Sequence, residues 1–221
     1  MLTQIRRNRV VLPSVSPKSE IRAHIRSVRR GLPPDVRANA DRSLAARAAE
    51  LVVQAGARTV AAYVPMALEP GGPHLVAALA TAAERLLLPV LLDDNDLDWA
   101  VYDGHFGTGR FGLQEPTGPR LGVAAVAAAE LVLLPGLAVA VDGTRLGQGG
   151  GSYDRVLSRV QAPTIVLLYP GEILPELPRE PHDQRVCGAL PGYDNAHVHW
   201  TKGCPMPHHW HSKYQSASDG G

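Results

Sequence analysis

Residues 131–168 read LVLLPGLAVAVDGTRLGQGGGSYDRVLSRVQAPTIVLL, a pattern that alternates apolar runs with a loop and a helix. Leu131–Leu134 and Thr164–Leu168 are short apolar runs, which are typical of strands buried on both faces. Between them lie a glycine-rich loop over residues 135–151 and a predicted helix over residues 152–160. This order predicts two parallel strands joined by a crossover helix. In such sheets, ligands bind at the carboxyl ends of the strands, which is where the loop begins.

The rest of the chain continues this alternation of helix and strand. Two helices are predicted first: one starts at Ser16-Pro17, with Ser16 as the N-cap, and ends at Gly31, and the other runs over residues 34–55. The segments predicted next are a strand over 59–64, a helix over 73–84, a strand over 86–92, a more exposed strand over 97–102 and a Gly/Pro-rich loop over 103–119. The predicted fold class is therefore α/β, a mostly parallel sheet with helices on both faces in a three-layer sandwich.

Composition is typical of an ordinary soluble globular protein, with 221 residues, 45% hydrophobic residues and a formal net charge of +1. The near-neutral charge argues against nucleic-acid binding, and the apolar runs are too short for a signal peptide or a membrane span. Cys187 and Cys204 do not make a disulfide framework, so we expect a reducing compartment and a cytoplasmic protein. We divide the chain into a flexible extension (1–16), one domain (17–192) and an irregular His-rich tail (193–221).

The segment 142–155, DGTRLGQGGGSYDR, indicates an anion-binding turn because five of its fourteen residues are glycine. Consecutive glycines let backbone N–H groups turn toward an anion, and the predicted helix start adds its positive dipole end at the same place. Arg145 contributes a guanidinium that matches phosphate oxygens, and Asp154 a carboxylate that suits Mg²⁺. A P-loop is excluded because no lysine occurs between Lys18 and Lys202. A flexible surface loop remains the alternative interpretation.

An ordered series of motifs in this region resembles the 5-formyltetrahydrofolate cyclo-ligase family, whose members are also called 5,10-methenyltetrahydrofolate synthetases. The series consists of LPGLA (134–138), DGTRLG (142–147), GGG (149–151) and YDR (153–155). Supporting matches follow the family order elsewhere: KSEIR (18–22), Glu69 after the first strand, RFGLQEP (110–116) and LPREPHD (177–183). The resemblance covers about residues 18–190.

The resemblance implies an ATP-dependent reaction in which the formyl oxygen of 5-formyltetrahydrofolate is phosphorylated, N10 attacks, phosphate departs and 5,10-methenyltetrahydrofolate forms. It implies catalytic roles for Arg145 and Tyr153, and Mg²⁺ binding by Asp154 and Asp183. The implied ATP contacts are Lys18, Arg22, Arg145, Leu146, Gly147, Gln148, Gly149, Gly150, Gly151, Ser152 and Tyr153. The implied folate contacts are Glu69, Gly150, Gly151, Ser152 and Tyr153. We expect these two ligands as the only partners, no nucleic acid or membrane, and a monomer or small homo-oligomer.

The chain also departs from the family pattern. Val139-Ala140 replaces Phe-Asp, Ser152 replaces the first tyrosine of YYD, and the usual lysine or arginine between the glycines is Gln148 or Gly150. The family's final strand, "vvTE", is not recognisable, and residues 186–190 lead directly into the tail. These departures leave two alternatives open: a non-catalytic relative that binds folate or nucleotide, and a sugar-phosphate isomerase or acyltransferase of similar build.

Overall fold

The computed structural model describes residues 17–181, 183–193, 196–201 and 204. The predicted extension 1–16, with Ser16, and most of the predicted His-rich tail lie outside these residues. The first described helix, α1, covers Lys18–Arg30 and has Pro17 at its N-cap, so Pro17 precedes the helix and is not its first residue.

Three more helices follow α1. Helix α2 covers Pro34–Ala55 and ends at Gly56 in the left-handed conformation (φ 65°), as the sequence predicts. Helix α3, Leu75–Ala82, is shorter than the predicted 73–84 because a 3₁₀ turn, Gly72–His74, precedes it and Ala83 is extended. Helix α4, Ser152–Leu157, is also shorter than predicted.

Twelve strands lie within the described residues. In chain order they are β1 Thr59–Ala61, β2 Arg85–Leu91, β3 Leu97–Val101, β4 Phe106–Thr108, β5 Gln114–Pro116, β6 Leu131–Pro135, β7 Ala138–Ala140, β8 Arg145–Leu146, β9 Thr164–Leu168, β10 Ile173–Leu174, β11 Gly188–Pro191 and β12 His199–Trp200. Seven of them form the central sheet in the order β12-β11-β9-β6-β1-β2-β3. The five inner strands are mutually parallel, and β12 and β3 add antiparallel edges.

Both faces of the sheet are covered, which confirms the predicted three layers. Alternate residues of β6 point to opposite faces: Leu131 and Leu133 pack in one cluster with α2 and α3, whereas Val132 and Leu134 pack in another with α4 and the 3₁₀ helix Val123–Ala128. This division follows from the two-residue period of a strand. It also explains why the inner strands read as continuous apolar runs.

Several predictions about the remaining segments are wrong. Strand β3 is buried and not exposed, because the 3₁₀ helix Val123–Ala128 covers the face that carries the fully buried Trp99. The predicted loop 103–119 contains the hairpin β4–β5. The final strand that seemed absent is β11, paired in parallel with β9, and His199–Trp200 of the predicted irregular tail forms the edge strand β12.

The predicted loop 135–151 is more structured than its composition indicates. It contains β7 and β8, which form a small three-stranded sheet with β10. Helix α1 packs on this small sheet through Ile21 and Ile25, which contact a buried cluster that includes Leu146. The packing fixes the basic face of α1 beside the glycine-rich loop.

Two further features concern the chain as a whole. Cys187 and Cys204 form a disulfide, with Cα atoms 5.0 Å apart, a pairing that the sequence does not predict. The bond joins the segment just before β11 to the segment after β12. Among the helices described, none has the length and apolar content needed to cross a membrane.

Candidate functional site

A cavity of about 480 Å³ lies at the edge of the sheet where three parallel strands end. Tyr63 follows β1, Leu91 ends β2 and Pro135 ends β6, and all three line the cavity. The carboxyl ends of neighbouring parallel strands meet at one edge, which is the usual ligand position in this fold class. The predicted site residues that line it are Glu69, Arg145, Gly147, Gln148, Gly149, Gly150, Gly151, Ser152, Tyr153 and Asp154.

Arginines of helix α1 hold the glycine-rich loop by donating hydrogen bonds to carbonyl groups of the loop. Arg22 Nε donates to the carbonyl of Gly147 at 2.9 Å, and Arg26 Nη2 donates to the carbonyl of Gln148 at 3.0 Å. Arg26 Nε also donates to the side-chain oxygen of Gln148 at 3.0 Å. Arg22 therefore supports the loop directly, and Arg26 is a site residue that the sequence reasoning missed. Its signal was the spacing of four from Arg22, which puts both on one helix face.

The end of the loop requires glycine. Gly149 has φ 108° and Gly151 has φ 73°, conformations that other residues rarely adopt. Gly151 is the N-cap of α4, so the loop leads directly into the N-terminus of that helix. The predicted anion-binding turn thus has the expected strand–loop–helix context. Leu146 differs from its neighbours, because its side chain lies in the cluster under α1 and does not line the cavity.

Arg145 lies in the wall of the cavity and is almost fully buried. Its Nη2 forms an ion pair with Asp154 Oδ1 at 3.2 Å, and its Nη1 donates to the carbonyl of Pro135 at 3.3 Å. The guanidinium carbon lies 5.9 Å from the ring centre of Tyr153. Its Nε is buried and has no hydrogen-bond partner in the described part of the chain. A buried donor without an acceptor is costly, so this position favours a ligand that supplies an oxygen.

Asp183 and Lys18 form a second ion pair outside the cavity lining. Lys18 Nζ lies 2.5 Å from Asp183 Oδ2 and 3.4 Å from Glu180 Oε1. The backbone N–H of Glu180 donates to the same Asp183 oxygen at 2.6 Å. Unlike Asp154, neither Lys18 nor Asp183 lines the cavity. Within the described residues, no three His, Cys, Asp or Glu side chains are grouped as a metal site.

Glu69 also lines the cavity and is 7% exposed. Its Oε2 accepts a hydrogen bond from the Met66 N–H at 3.0 Å, and its carboxylate is also hydrogen-bonded to Gln148. Burial raises the pKa of Glu69 above its ordinary value. Burial and the nearby Glu69 carboxylate raise the pKa of Tyr63 and of Tyr153, so both phenols stay neutral near pH 7. Tyr153 can donate a hydrogen bond from its hydroxyl but is not a general base.

These features define the class of protein to which the chain belongs. The chain is an α/β protein with a cavity at the carboxyl edge of its sheet. A glycine-rich turn and a buried guanidinium line the cavity, and these suit a phosphate-bearing ligand. The buried Glu69 carboxylate also lines it, which suits a ligand with N–H donors.

Comparison with known proteins specifies the family. The model of the 5-formyltetrahydrofolate cyclo-ligase family matches residues 14–190. A 5-formyltetrahydrofolate cyclo-ligase from Mycolicibacterium smegmatis is 37% identical over 174 residues, covering 75% of this chain and 89% of the relative. The chain therefore belongs to the 5-formyltetrahydrofolate cyclo-ligase family, a family of ligases.

Two solved structures agree with this assignment. The NMR structure of 5,10-methenyltetrahydrofolate synthetase from Aquifex aeolicus superimposes with a TM-score of 0.71 at 25% identity, over 88% of this chain and 98% of that one. The 5,10-methenyltetrahydrofolate synthetase from Mycoplasma pneumoniae has the same fold, with a TM-score of 0.62 at 19% identity, over 77% of this chain and 96% of that one.

Proposed function

We propose that the chain catalyses the ATP-dependent conversion of 5-formyltetrahydrofolate to 5,10-methenyltetrahydrofolate, with release of ADP and phosphate. The observation that carries the proposal is the pairing, in one cavity, of Arg145 within a glycine-rich turn and the buried Glu69. The first suits the phosphates of ATP and the second suits the N–H groups of the pterin ring. Family membership supports this reaction.

The triphosphate binds at the glycine-rich turn. The carbonyls of Gly147 and Gln148 are held by α1, which leaves the N–H groups that follow free to face an anion. Arg145 adds its guanidinium, including the Nε that lacks a partner. Lys18 and Arg22 stay predicted ATP contacts: Lys18 is engaged with Asp183, and Arg22 contributes through its remaining N–H groups. Leu146 contributes only through its backbone, because its side chain is in the core.

The folate binds in the same cavity, against Glu69. Glu69 accepts hydrogen bonds from the pterin, and the backbone of Gly150 and Gly151 with the side chains of Ser152 and Tyr153 borders the formyl group. This arrangement brings the formyl oxygen next to the terminal phosphate. Phosphoryl transfer depends mainly on positioning and charge neutralisation, which is what these groups supply.

Magnesium fits the site through Asp154, the predicted ligand that lines the cavity. Asp154 and phosphate oxygens suit Mg²⁺, which keeps several waters and neutralises charge on the phosphates when bound. Asp154 is paired with Arg145, so binding of the ion shares this carboxylate between two cations. Asp183 stays a predicted ligand; it would have to exchange its contact with Lys18 for the ion.

The chemical steps follow from these positions. The formyl oxygen attacks the terminal phosphorus of ATP, and ADP leaves while Arg145 neutralises the developing charge. N10 then attacks the activated formyl carbon, the bond from that carbon to the phosphorylated oxygen breaks, and the phosphate leaves with the former formyl oxygen and takes up the proton lost from N10. The neutral hydroxyl of Tyr153 lines this position without taking a proton.

A turnover assay tests the proposal. The purified chain is mixed with 5-formyltetrahydrofolate, ATP and Mg²⁺, and the methenyl product is followed by absorbance. Product that requires ATP and appears with one equivalent of ADP supports the proposal. Binding of both substrates without turnover would favour the non-catalytic relative, and turnover without ATP would contradict the proposal.

We further propose that residues 17–192 form the catalytic domain, and that the protein is cytoplasmic, where its disulfide would tend to be reduced.

A further inference from the structure

A buried network of charged and phenolic side chains lies behind the cavity, outside the residues discussed so far. Arg29 is 1% exposed and Glu172 is 2% exposed. Their contact is bidentate: Arg29 Nε lies 2.7 Å from Glu172 Oε1, and Arg29 Nη2 lies 2.8 Å from Glu172 Oε2. The N–H of Tyr169 donates to the same carboxylate at 2.8 Å.

The network ends on the backbone of the loop that carries Glu69. Arg29 Nη1 donates to the carbonyl of Leu68 at 3.3 Å. The hydroxyl of Tyr169 lies 3.4 Å from the carbonyl of Glu69 itself and donates to Asp41 Oδ1 at 2.8 Å. The same Asp41 oxygen accepts the N–H of Gly71 at 3.0 Å. Three polar side chains therefore hold three successive parts of this loop.

The network also reaches the cavity wall. Arg29 Nη2 donates to the carbonyl of Gly136 at 2.7 Å, and Gly136 lines the cavity beside Pro135. One guanidinium thus connects the Glu69 loop to the end of strand β6, from which the Arg145 segment continues. The relative position of the Glu69 loop and of the Arg145 segment depends on these contacts.

Stability alone is a weak reason for such a network. A buried ion pair is often no more stabilising than packed apolar residues of the same size, because both ions lose their hydration. The Glu69 loop contains Pro70 and two glycines with positive φ, Gly71 at 94° and Gly72 at 46°. A Cβ at Gly72 would meet Asp41 Oδ2 at 2.7 Å, so Asp41 packs directly against the loop.

We propose that Arg29, Asp41, Tyr169 and Glu172 are positioning residues that fix the backbone of residues 68–71 and thereby hold the Glu69 carboxylate ready for the folate. The proposal rests on the proposed role of Glu69. It assigns the network to the affinity for the folate and not to the affinity for ATP.

The test uses Tyr169→Phe, which removes one hydroxyl and keeps the ring. This hydroxyl contacts both Asp41 and the Glu69 carbonyl, so its loss frees the loop on that side. We expect the Kd for 5-formyltetrahydrofolate, measured by calorimetry, to rise about tenfold, as the loss of one to two hydrogen bonds implies. The Kd for ATP with Mg²⁺ is expected to change by less than about twofold, which is the range of a negligible free-energy change.

Two sets of variants provide the controls. Thr164→Val removes a hydroxyl from the start of β9, the strand that Tyr169 follows; this hydroxyl accepts the N–H of Cys187 at 3.1 Å, and its loss should leave folate affinity unchanged. Asp41→Asn keeps an acceptor oxygen and should bind folate nearly as well as the parent chain. Asp41→Ala loses that acceptor and should weaken folate binding like Tyr169→Phe.

Glu69→Ala separates this proposal from the proposed function. If Glu69→Ala weakens folate binding and Tyr169→Phe does not, the positioning role is overturned and the proposed function stands. If Glu69→Ala leaves folate binding intact, the assigned role of Glu69 fails and the positioning role fails with it. Combining the two substitutions should be no worse than Glu69→Ala alone, because Tyr169 acts through Glu69. Additive losses would contradict the proposal.

Discussion

Gly147→Ala is the most informative single change in the phosphate-binding loop. A Cβ at this position would lie 2.8 Å from Arg145 Nη1 and 3.3 Å from its Cζ, too close for an ordinary contact. Gly147 does not have a positive φ, so an alanine at this position would clash with Arg145 but would not strain the backbone. The loop carbonyl is held by Arg22 and the guanidinium is buried, so the clash cannot be relieved by rotation into solvent.

The size of the effect follows from the required displacement of Arg145. To reach an ordinary separation of about 3.4 Å, the guanidinium must withdraw by roughly 0.6 Å from a Cβ at 2.8 Å. Withdrawing the same distance from Asp154 weakens that ion pair by roughly 0.8 kcal/mol at an effective dielectric constant of about 20. Loss of the bond to the Pro135 carbonyl adds about 1 kcal/mol. If the displaced guanidinium loses a similar free energy in its contact with the phosphates, the Kd for ATP rises about ten- to twentyfold.

The assay is calorimetric titration of MgATP into the parent chain, Gly147→Ala, Arg145→Ala and the double variant. Gly31→Ala is the control, because its Cβ would have only ordinary contacts at 3.5 Å and longer, on the helix end. If the alanine acts through Arg145, it should have little further effect once Arg145 is removed. This reasoning would be refuted if Gly147→Ala left ATP affinity unchanged. It would also be refuted if Gly147→Ala lowered ATP affinity equally in the parent chain and in Arg145→Ala.

Three further predictions concern separate parts of the molecule. Asp154→Ala should reduce ATP-dependent turnover at least tenfold, because it removes both the partner of Arg145 and the proposed magnesium ligand; full activity would rule out the metal role. Folate affinity should fall as the pH drops through the raised pKa of Glu69, at a higher pH than for an ordinary glutamate, and Glu69→Gln should abolish this dependence. Measuring the Kd for 5-formyltetrahydrofolate between pH 4 and 8 tests this prediction. The same pH profile in the parent chain and in Glu69→Gln would exclude Glu69 as the titrating group. Reducing the Cys187–Cys204 disulfide should lower the free energy of unfolding by about 3 kcal/mol, as measured by denaturant titration, and should leave ATP affinity unchanged because neither cysteine lines the cavity.

The inner strands could be predicted from sequence because burial on both faces leaves a continuous apolar run, as in Leu131–Leu134 and Thr164–Leu168. Strand β3 was misjudged because Asp98 indicates an exposed face. Asp98 is buried instead, and its Oδ1 accepts the N–H groups of Trp99 at 2.6 Å and Gly122 at 2.7 Å. Strand β11 was missed because its sequence, Gly-Ala-Leu-Pro, has little β-propensity and is held by pairing with β9.

The candidate site, like the fold, could be predicted only in part from the sequence. The glycine-rich turn and Glu69 are recognisable because their motifs are local in sequence. Arg26 and the network of Arg29, Asp41, Tyr169 and Glu172 are not, because their partners are more than a hundred residues away along the chain. The spacing of four places Arg26 on the same helix face as Arg22 but does not reveal its contact with Gln148, and a single sequence contains no signal for the buried network. The disulfide was missed because sequence gives no geometry for two cysteines.

The central claim is that the glycine-rich turn and Arg145 bind the phosphates of a nucleotide. The most direct measurement is the affinity of the parent chain and of Arg145→Ala for ATP, with and without Mg²⁺, by calorimetry. The account predicts affinity that depends on magnesium in the parent chain and falls about ten- to a hundredfold in the variant, while folate affinity is preserved. No measurable affinity for ATP in the parent chain, with or without reduced folate present, would contradict it.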